Sequence, residues 1–298
     1  MAALKACSAL VTGANRGLGL EMVKQLLEAR CSNIFDACRD PDGPNSEEYL
    51  PYLRTAAKAK GKPGMSCDKA AVINISTDAA SMSIMPVLKE PFPFFPYSIS
   101  KVFKNPKTDG LQKIIKESAK KVGSLLGKNG LNLLVNNAAV LPQKTLLTAT
   151  VEDMQSTFNT NVIGPLFVIR EYLPYLRTAA KAKGKPGMSC DKAAVINIST
   201  DSASMSIMPV MKEPFPFFPY SISKAGLNML TIYTARDLKA DEILCISIHP
   251  GWVRTDMGGD KAPIDTRKSV EGLMRVIGSL TEKQNGAFLD YTGKTMPW

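Results

Sequence analysis

The stretch Leu4-Lys-Ala-Cys-Ser-Ala-Leu-Val-Thr-Gly-Ala-Asn-Arg-Gly-Leu-Gly19 decides how the rest of the chain reads. Residues 4–11 are a short apolar run of the kind that becomes a strand buried on both faces of a parallel sheet. Glycines follow at 13, 17 and 19, and after them comes a helical pattern with Leu20, Val23, Leu26 and Leu27 on one face. A glycine cluster alone fits a structural turn equally well. Set between a strand and a helix, it also places Cβ-free backbone and the positive end of a helix dipole where a pyrophosphate could sit. Gly13, Asn15, Arg16, Gly17, Leu18 and Gly19 are therefore candidate cofactor-binding residues.

Working outward, the pattern keeps alternating. Residues 33–37 read as a second strand, closed by Cys38-Arg39-Asp40-Pro41. Residues 113–126 form an amphipathic helix, followed by a very apolar strand at 131–135. Thr150-Val-Glu-Asp153 has the form of a capping box opening a long helix through Phe158, Val162 and Leu166. Strands at 193–198 and 243–248 and helices at 225–238 and 270–280 complete the series. Strands alternating with helices predict an α/β fold: a Rossmann-type, doubly wound, mostly parallel sheet in a single domain spanning 1–298.

Composition narrows the function classes. An apolar fraction of 45% is ordinary for a chain that buries a real core. No basic leader with an apolar stretch and cleavage site precedes the first strand, and no long apolar run occurs, so neither secretion nor a membrane span is expected. Six scattered cysteines without a C-x-x-C pair suit a reducing, cytoplasmic setting, and one histidine, His249, argues against a zinc site. The net charge of +10 is spread along helical stretches without a recognition motif, which suits a solvated surface better than a nucleic-acid partner. A homodimer is compatible with such a chain.

One feature distorts the pattern. Residues 48–101 recur as 171–224, at an offset of 123, with only Ala79/Ser202 and Leu88/Met211 differing among 54 positions. Two non-adjacent copies are not a solenoid. They point to a recent duplication or to an error in the assembled gene. Each copy carries seven basic and four acidic residues, so one copy supplies +3 of the net charge. Every motif inside the repeat exists twice, and only one copy of each can occupy its proper place.

The chemistry-bearing residues lie mostly in the second half. Tyr220-Ser-Ile-Ser-Lys224 sets a phenol and an ammonium at i and i+4 on one helix face. A neighbouring cation favours the ionised phenol, which would suit Tyr220 to exchange a proton with a carbonyl oxygen as a hydride arrives. Lys224 can also donate to ribose hydroxyls. Asn136-Asn-Ala-Ala139, with Asn137 and Ala138 as binding candidates, ends the apolar strand at the sheet edge a dinucleotide would cross. Asn161, among apolar helix neighbours, is either a satisfied core amide or part of a proton relay. Pro250, Gly251, Val253 and Thr255 follow the strand ending near His249 and could clamp a nicotinamide; His249 itself reads as structural. Arg16 and Arg39 stand where a 2′-phosphate would want arginine, which favours NADP(H) over NAD(H), although incidental surface arginines would look the same.

With these residues assembled, the chain resembles the classical short-chain dehydrogenases/reductases outside the first repeat copy, and within them the branch of the carbonyl reductases, sniffer and C-factor-like proteins. The stretches Asn136-Asn-Ala-Ala139, Tyr220-x-x-x-Lys224, His249-Pro-Gly-Trp-Val-Arg-Thr-Asp-Met-Gly258 and Asn285-Gly-Ala-Phe-Leu-Asp-Tyr carry the likeness. The resemblance implies NADPH-dependent reduction of an aldehyde, ketone or quinone and a catalytic Asn–Ser–Tyr–Lys tetrad, in which Asn161, Tyr220 and Lys224 match. The family serine is the fourth residue of Asn197-Ile-Ser-Thr200, so Thr200 takes its part, with Ser199 as the fallback.

A second departure is larger. The family has a helix and a third strand, carrying an adenine-contacting Asp, where this chain has its first repeat copy. Copy one is expected to stand in, with 48–60 as the helix and 71–76 as the edge strand, leaving Tyr97 and Lys101 as bystanders. The loop Met208-Pro-Val-Met-Lys-Glu-Pro-Phe-Pro-Phe-Phe-Pro219 should wall the substrate side and suit a small apolar or aromatic carbonyl, or else pack as a lid on a partner. The departures also leave room for a catalytically impaired, NADP(H)-binding regulator of the same fold.

Overall fold

The computed structural model describes residues 6–29, 31–37, 71–75, 82–84, 108–182, 186–211 and 216–298. The apolar run before the glycines becomes β1 (Ser8–Thr12), and the amphipathic stretch after them becomes α1 (Gly17–Glu28). β2 (Asn33–Ala37) pairs parallel with β1. Two strands from the first repeat copy follow, β3 (Ala71–Ile75) and β4 (Met82–Ile84). Then come α2 (Thr108–Leu126), β5 (Leu133–Asn136), α3 (Val151–Phe158), α4 (Gly164–Ala182), β6 (Ala194–Ile198), α5 (Phe218–Asp237), β7 (Leu244–His249), α6 (Thr266–Ser279) and β8 (Phe288–Asp290).

The sheet order is β4-β3-β2-β1-β5-β6-β7-β8, and every pairing is parallel except β3 with β4. This is a doubly wound Rossmann-type sheet in one domain. Val11, Ile34, Val135, Ile196 and Ile246 bury against α1 and α6 on one face. Leu10, Phe35, Leu134, Val195 and Cys245 bury against α2 and α4 on the other. Strands covered on both sides have no polar face, which is why they read as continuous apolar runs. From β1 the chain winds outward through β2 and β3, then crosses back to β5 on the other side of β1. The ends of β1 and β5 thus flank a topological switch point, where ligands of such sheets bind.

Several elements differ from the sequence reading: β4 was not expected, and α2 and α6 begin at Thr108 and Thr266 rather than at 113 and 270. The helix opened by the Thr150–Asp153 capping box does form, but Asn159–Ile163 winds as a π segment between α3 and α4. A single wide turn of this kind is too short to stand out from the helical pattern around it. α5 begins at Phe218, with Pro219 in its first turn where a missing N–H costs nothing, and so takes in Tyr220 and Lys224. β8, a three-residue strand, was too short to register as a run. The helix expected at 48–60, Tyr97 and Lys101 lie outside the described residues.

Among the described residues, no helix is long and apolar enough to cross a membrane and no cluster of ligating side chains could hold a metal. Cys31 and Cys245 are buried free thiols.

Candidate active site

β1, β5, β6 and β7 run parallel and therefore deliver their C-terminal residues, Thr12, Asn136, Ile198 and His249, to one edge of the sheet. The glycine turn and the Asn-Asn-Ala-Ala segment meet there. Thr12 Oγ1 accepts from the backbone N–H groups of Asn137 and Ala138, each at 3.0 Å. Asn137 Nδ2 donates back to the carbonyls of Thr12 (2.9 Å) and Gly13 (3.2 Å). Gly13 has φ +67°, and a Cβ there would meet the Ala138 Cα at 2.9 Å. A Cβ on Gly19 would lie 2.2 Å from the Gly13 carbonyl oxygen.

The start of α1 beyond that turn carries no acidic residue and no side-chain cap. Bare N–H groups, Cβ-free backbone and the dipole's positive end together fit an anionic dinucleotide. Arg16, the N-cap residue, is largely exposed and pairs with Asp256 across this edge. Asn15 is half-buried, and Leu18 packs on the core. Thr255 faces Gly17; Gly251 has φ +83°, Val253 is buried, and the Pro250 carbonyl is held by Ser269 at 2.6 Å. Arg39 lies outside the described residues.

Three consecutive residues at the end of β6 are lashed to one face of α5. Asn197 Nδ2 donates to Thr231 Oγ1 at 2.8 Å, Lys224 Nζ donates to the Ile198 carbonyl at 2.6 Å, and Ser199 Oγ donates to Asn228 Oδ1 at 2.7 Å. Lys224, Asn228 and Thr231 are spaced by four and three residues, one helical face. These buried bonds fix the rotation of α5 and with it the aim of Tyr220, whose buried phenol lies near Thr200. From the other side, Asn161 in the π segment donates to Ser223 Oγ at 2.9 Å and bonds the Val140 backbone through both its amide groups. Ser223 in turn donates to the Tyr220 carbonyl at 2.7 Å. The structure thus brings Asn161, Thr200, Tyr220 and Lys224 together around α5.

Ser199, the fallback for the family serine, is corrected. Adjacent strand residues point to opposite sides, so with Thr200 facing the phenol the Ser199 hydroxyl is turned inward to Asn228. Sequence reasoning missed Asp201, Ser223, Asn228 and Thr231. Polar residues continuing from Lys224 along one face of an otherwise apolar helix were the available signal for the last two.

The electrostatics also differ from expectation. Lys224 was expected to pull the phenol's pKa down. Instead burial raises Tyr220, the Asp201 carboxylate raises it further, and the Thr200 hydroxyl opposes them. Burial pushes Lys224 down to about 7. Its Nζ is 5.7 Å from the Tyr220 ring centroid. In a dry site desolvation penalises both charges at once and outweighs their mutual attraction. A phenol held protonated is nonetheless the form a proton donor needs.

A stability consequence follows for the cofactor-free protein. Between about pH 7 and about pH 10 the unfolded chain keeps a proton on Lys224 that the folded chain has released. The unfolded state binds more protons there, so stability rises with pH through this window. His249, lowered by burial, acts in the same direction at more acid pH. The Tm of the cofactor-free protein is expected to be higher at about pH 9 than at about pH 7, with Lys224→Met flattening the rise. A wild-type profile that is flat or falls would contradict it.

Comparison with known proteins bears on the family and the fold. The sequence profile of the short chain dehydrogenase family matches residues 106–264, more than half of the chain, beginning just beyond the first repeat copy. The C-signal protein of Myxococcus xanthus is 34% identical over 168 residues, covering 56% of this chain and 92% of that protein. Among solved structures, an NADPH-bound carbonyl reductase from chicken fatty liver superposes with a TM-score of 0.78 at 34% identity, covering 99% of this chain and 95% of that one. The carbonyl reductase Sniffer of D. melanogaster superposes with a TM-score of 0.76 at 29% identity, covering 98% and 100%.

Proposed function

Because the chain belongs to the short-chain dehydrogenase family, we propose that it is an NADPH-dependent reductase of an aldehyde, ketone or quinone in which Tyr220 donates the proton. The observation that carries this reading is the convergence of Tyr220, Thr200, Lys224 and Asn161 on the sheet edge that also holds the glycine turn. A bound reduced nicotinamide would supply the hydride. Tyr220, kept protonated by burial and by Asp201, gives its proton to the carbonyl oxygen, which turns that oxygen into a hydroxyl. Thr200, near the phenol, would offer a hydroxyl beside the same oxygen. Lys224, on the same helix face, sits where it can donate to ribose hydroxyls, and Asn161 steadies α5 through Ser223. Gly13, Gly17 and Gly19, where a Cβ would press on Ala138, Thr255 and the Gly13 carbonyl, let the turn close tightly beneath the proposed pyrophosphate site, and Pro250, Gly251, Val253 and Thr255 would line its opposite wall.

The test is NADPH consumption over a panel of aldehydes, dicarbonyls and quinones, apolar and aromatic members included. Turnover of at least one class is expected. NADPH binding without turnover of any of them would favour the impaired, regulatory reading instead.

The preference for NADPH rests on Arg16, whose guanidinium competes between Asp256 and a 2′-phosphate. A charge-assisted hydrogen bond is worth about 1.5–3 kcal/mol. Arg16→Ala is therefore expected to raise the KM for NADPH about tenfold to a hundredfold while leaving that for NADH nearly unchanged. An equal effect on both coenzymes would remove Arg16 from 2′-phosphate recognition.

The same reading gives the first repeat copy a structural part. Its strand Ala71–Ile75 pairs parallel with β2 in register Asn33↔Ala71 to Ala37↔Ile75, which supports its standing in for the family's third strand.

A further inference from the structure

We propose that Trp298 is a positioning residue that latches the 204–210 turn beside the active site and so holds an apolar wall for a ring-bearing carbonyl substrate. This rests on the reading of the site as that of a carbonyl reductase. The turn belongs to the excursion that leaves the sheet edge at Thr200, just past β6, and returns to it at Tyr220 in the first turn of α5. The far end of that excursion is fixed where the Phe218 N–H donates to the Lys144 carbonyl at 2.9 Å. The near end winds on itself. Buried Ser204 accepts from the Ile207 N–H at Oγ (3.1 Å) and from the Met208 N–H at its carbonyl (3.0 Å). That winding leaves Met205, Met208 and Val210 exposed. Methionine side chains turn about three bonds, so a wall built of them keeps a shape only where its backbone is held.

The holding contact comes from 92 residues further along the chain. Beyond β8 the backbone reverses around Asp290, whose Oδ1 accepts from the Thr292 N–H (2.8 Å), the Thr292 hydroxyl (2.6 Å) and the Lys294 N–H (3.0 Å). It then runs back beside β8, with Thr295 bridged antiparallel to Leu289 and the Met296 N–H donating to the Phe288 carbonyl at 2.8 Å. The Trp298 ring stacks on Phe288 with centroids 5.3 Å apart. The Trp298 carbonyl oxygen accepts twice from Ser206, from its backbone N–H at 3.2 Å and from its Oγ at 2.9 Å. Phe288 is buried in the sheet, so the stacked ring gives that carbonyl a fixed seat. The repeat supplies an internal comparison. Met82-Ser-Ile84 forms a strand against β3, whereas the identical Met205-Ser-Ile207 forms none, and Ser206 gives its N–H to Trp298 instead.

The experiment compares the wild type with Trp298→Ala, Trp298→Phe and Ser206→Ala. Steady-state rates are measured with phenanthrenequinone and with the small diketone 2,3-butanedione. Amide hydrogen exchange of residues 205–210 is followed with and without NADP+ plus phenanthrenequinone. Trp298→Ala is expected to speed that exchange about tenfold and to raise the KM for phenanthrenequinone by about the same factor, the loss of two neutral hydrogen bonds setting the scale. The kcat for both carbonyls and the KM for butanedione should stay nearly unchanged. Trp298→Phe, which keeps a ring against Phe288, is expected to restore both quantities. Ser206→Ala removes one of the two donors and is expected to shift both in the same sense by about threefold. In the wild type, NADP+ with the quinone should slow exchange at 205–210. Unchanged exchange in Trp298→Ala would overturn the latch. Equal effects on the two carbonyls, or no protection by the quinone, would overturn the wall. If Trp298→Ala does not fold, Ser206→Ala decides by the same readings. A wild type that reduces neither carbonyl defeats the proposed function, while the exchange measurements, which need no turnover, still decide the part played by Trp298.

Discussion

Tyr220→Phe is expected to lower kcat/KM for carbonyl reduction by about a hundredfold to ten-thousandfold while leaving NADPH affinity within a small factor of wild type. The two effects separate because of where the phenol sits. Its ring is buried at the start of α5, with Lys224 Nζ 5.7 Å from the ring centroid, and phenylalanine fills the same volume. The anchors that set the helix, Asn197 to Thr231, Lys224 to Ile198 and Ser199 to Asn228, do not involve the hydroxyl. What is lost is the one proton poised beside Thr200. Stopped-flow reduction and NADPH fluorescence titration on the same preparation measure the two quantities. Turnover equal to wild type would remove Tyr220 from the chemistry, and a parallel collapse of NADPH binding would make its role one of packing.

Gly19→Ala is expected to cost about 1–3 kcal/mol of stability and to weaken NADPH binding by more than about tenfold. The new methyl would sit 2.2 Å from the Gly13 carbonyl oxygen and 2.7 Å from Asn137 Nδ2. The first of these is backbone and cannot rotate aside. Either α1 withdraws from the turn, or the turn withdraws from Asn137 and gives up its bonds to Thr12 and Gly13. Both movements distort the surface proposed to face the pyrophosphate. Denaturant midpoints and NADPH titration measure the pair of effects. An alanine variant with unchanged midpoint and affinity would mean that the approach of α1 to the Gly13 turn is looser than the structure has it.

The buried strands were legible because a strand covered on both faces is apolar throughout, and those at 33–37 and 193–198 needed at most one residue of adjustment. Tyr220 and Lys224 were legible because a helix sets i and i+4 side by side. Asp201 was not. Nothing in its neighbourhood along the chain distinguishes it from a surface aspartate, and its nearness to Tyr220 and His249 is the work of α5 and β7. The direction of the Tyr220 shift was misjudged for a related reason. Spacing reveals that a cation is near but says nothing of how dry the site is.

The repeat separates the two kinds of information most sharply. Ala-Val-Ile-Asn-Ile occurs at 71–75 and at 194–198, and in both copies the pattern alone dictates a strand, since the apolar, β-branched residues demand one. Which slot each fills is a tertiary matter: β3 lies beside β2, while β6 lies between β5 and β7. The following Met-Ser-Ile is β4 in the first copy and turn in the second. The residues are the same and the surroundings differ. The outer edge of β3 offers unpaired backbone groups on which the chain can fold back, whereas both edges of β6 are already taken, and the backbone must satisfy its hydrogen bonds elsewhere. Sequence determined the alternation of strand and helix and the glycine turn; the closing of the sheet decided the neighbours of each copy and the burial of Tyr220 and Lys224.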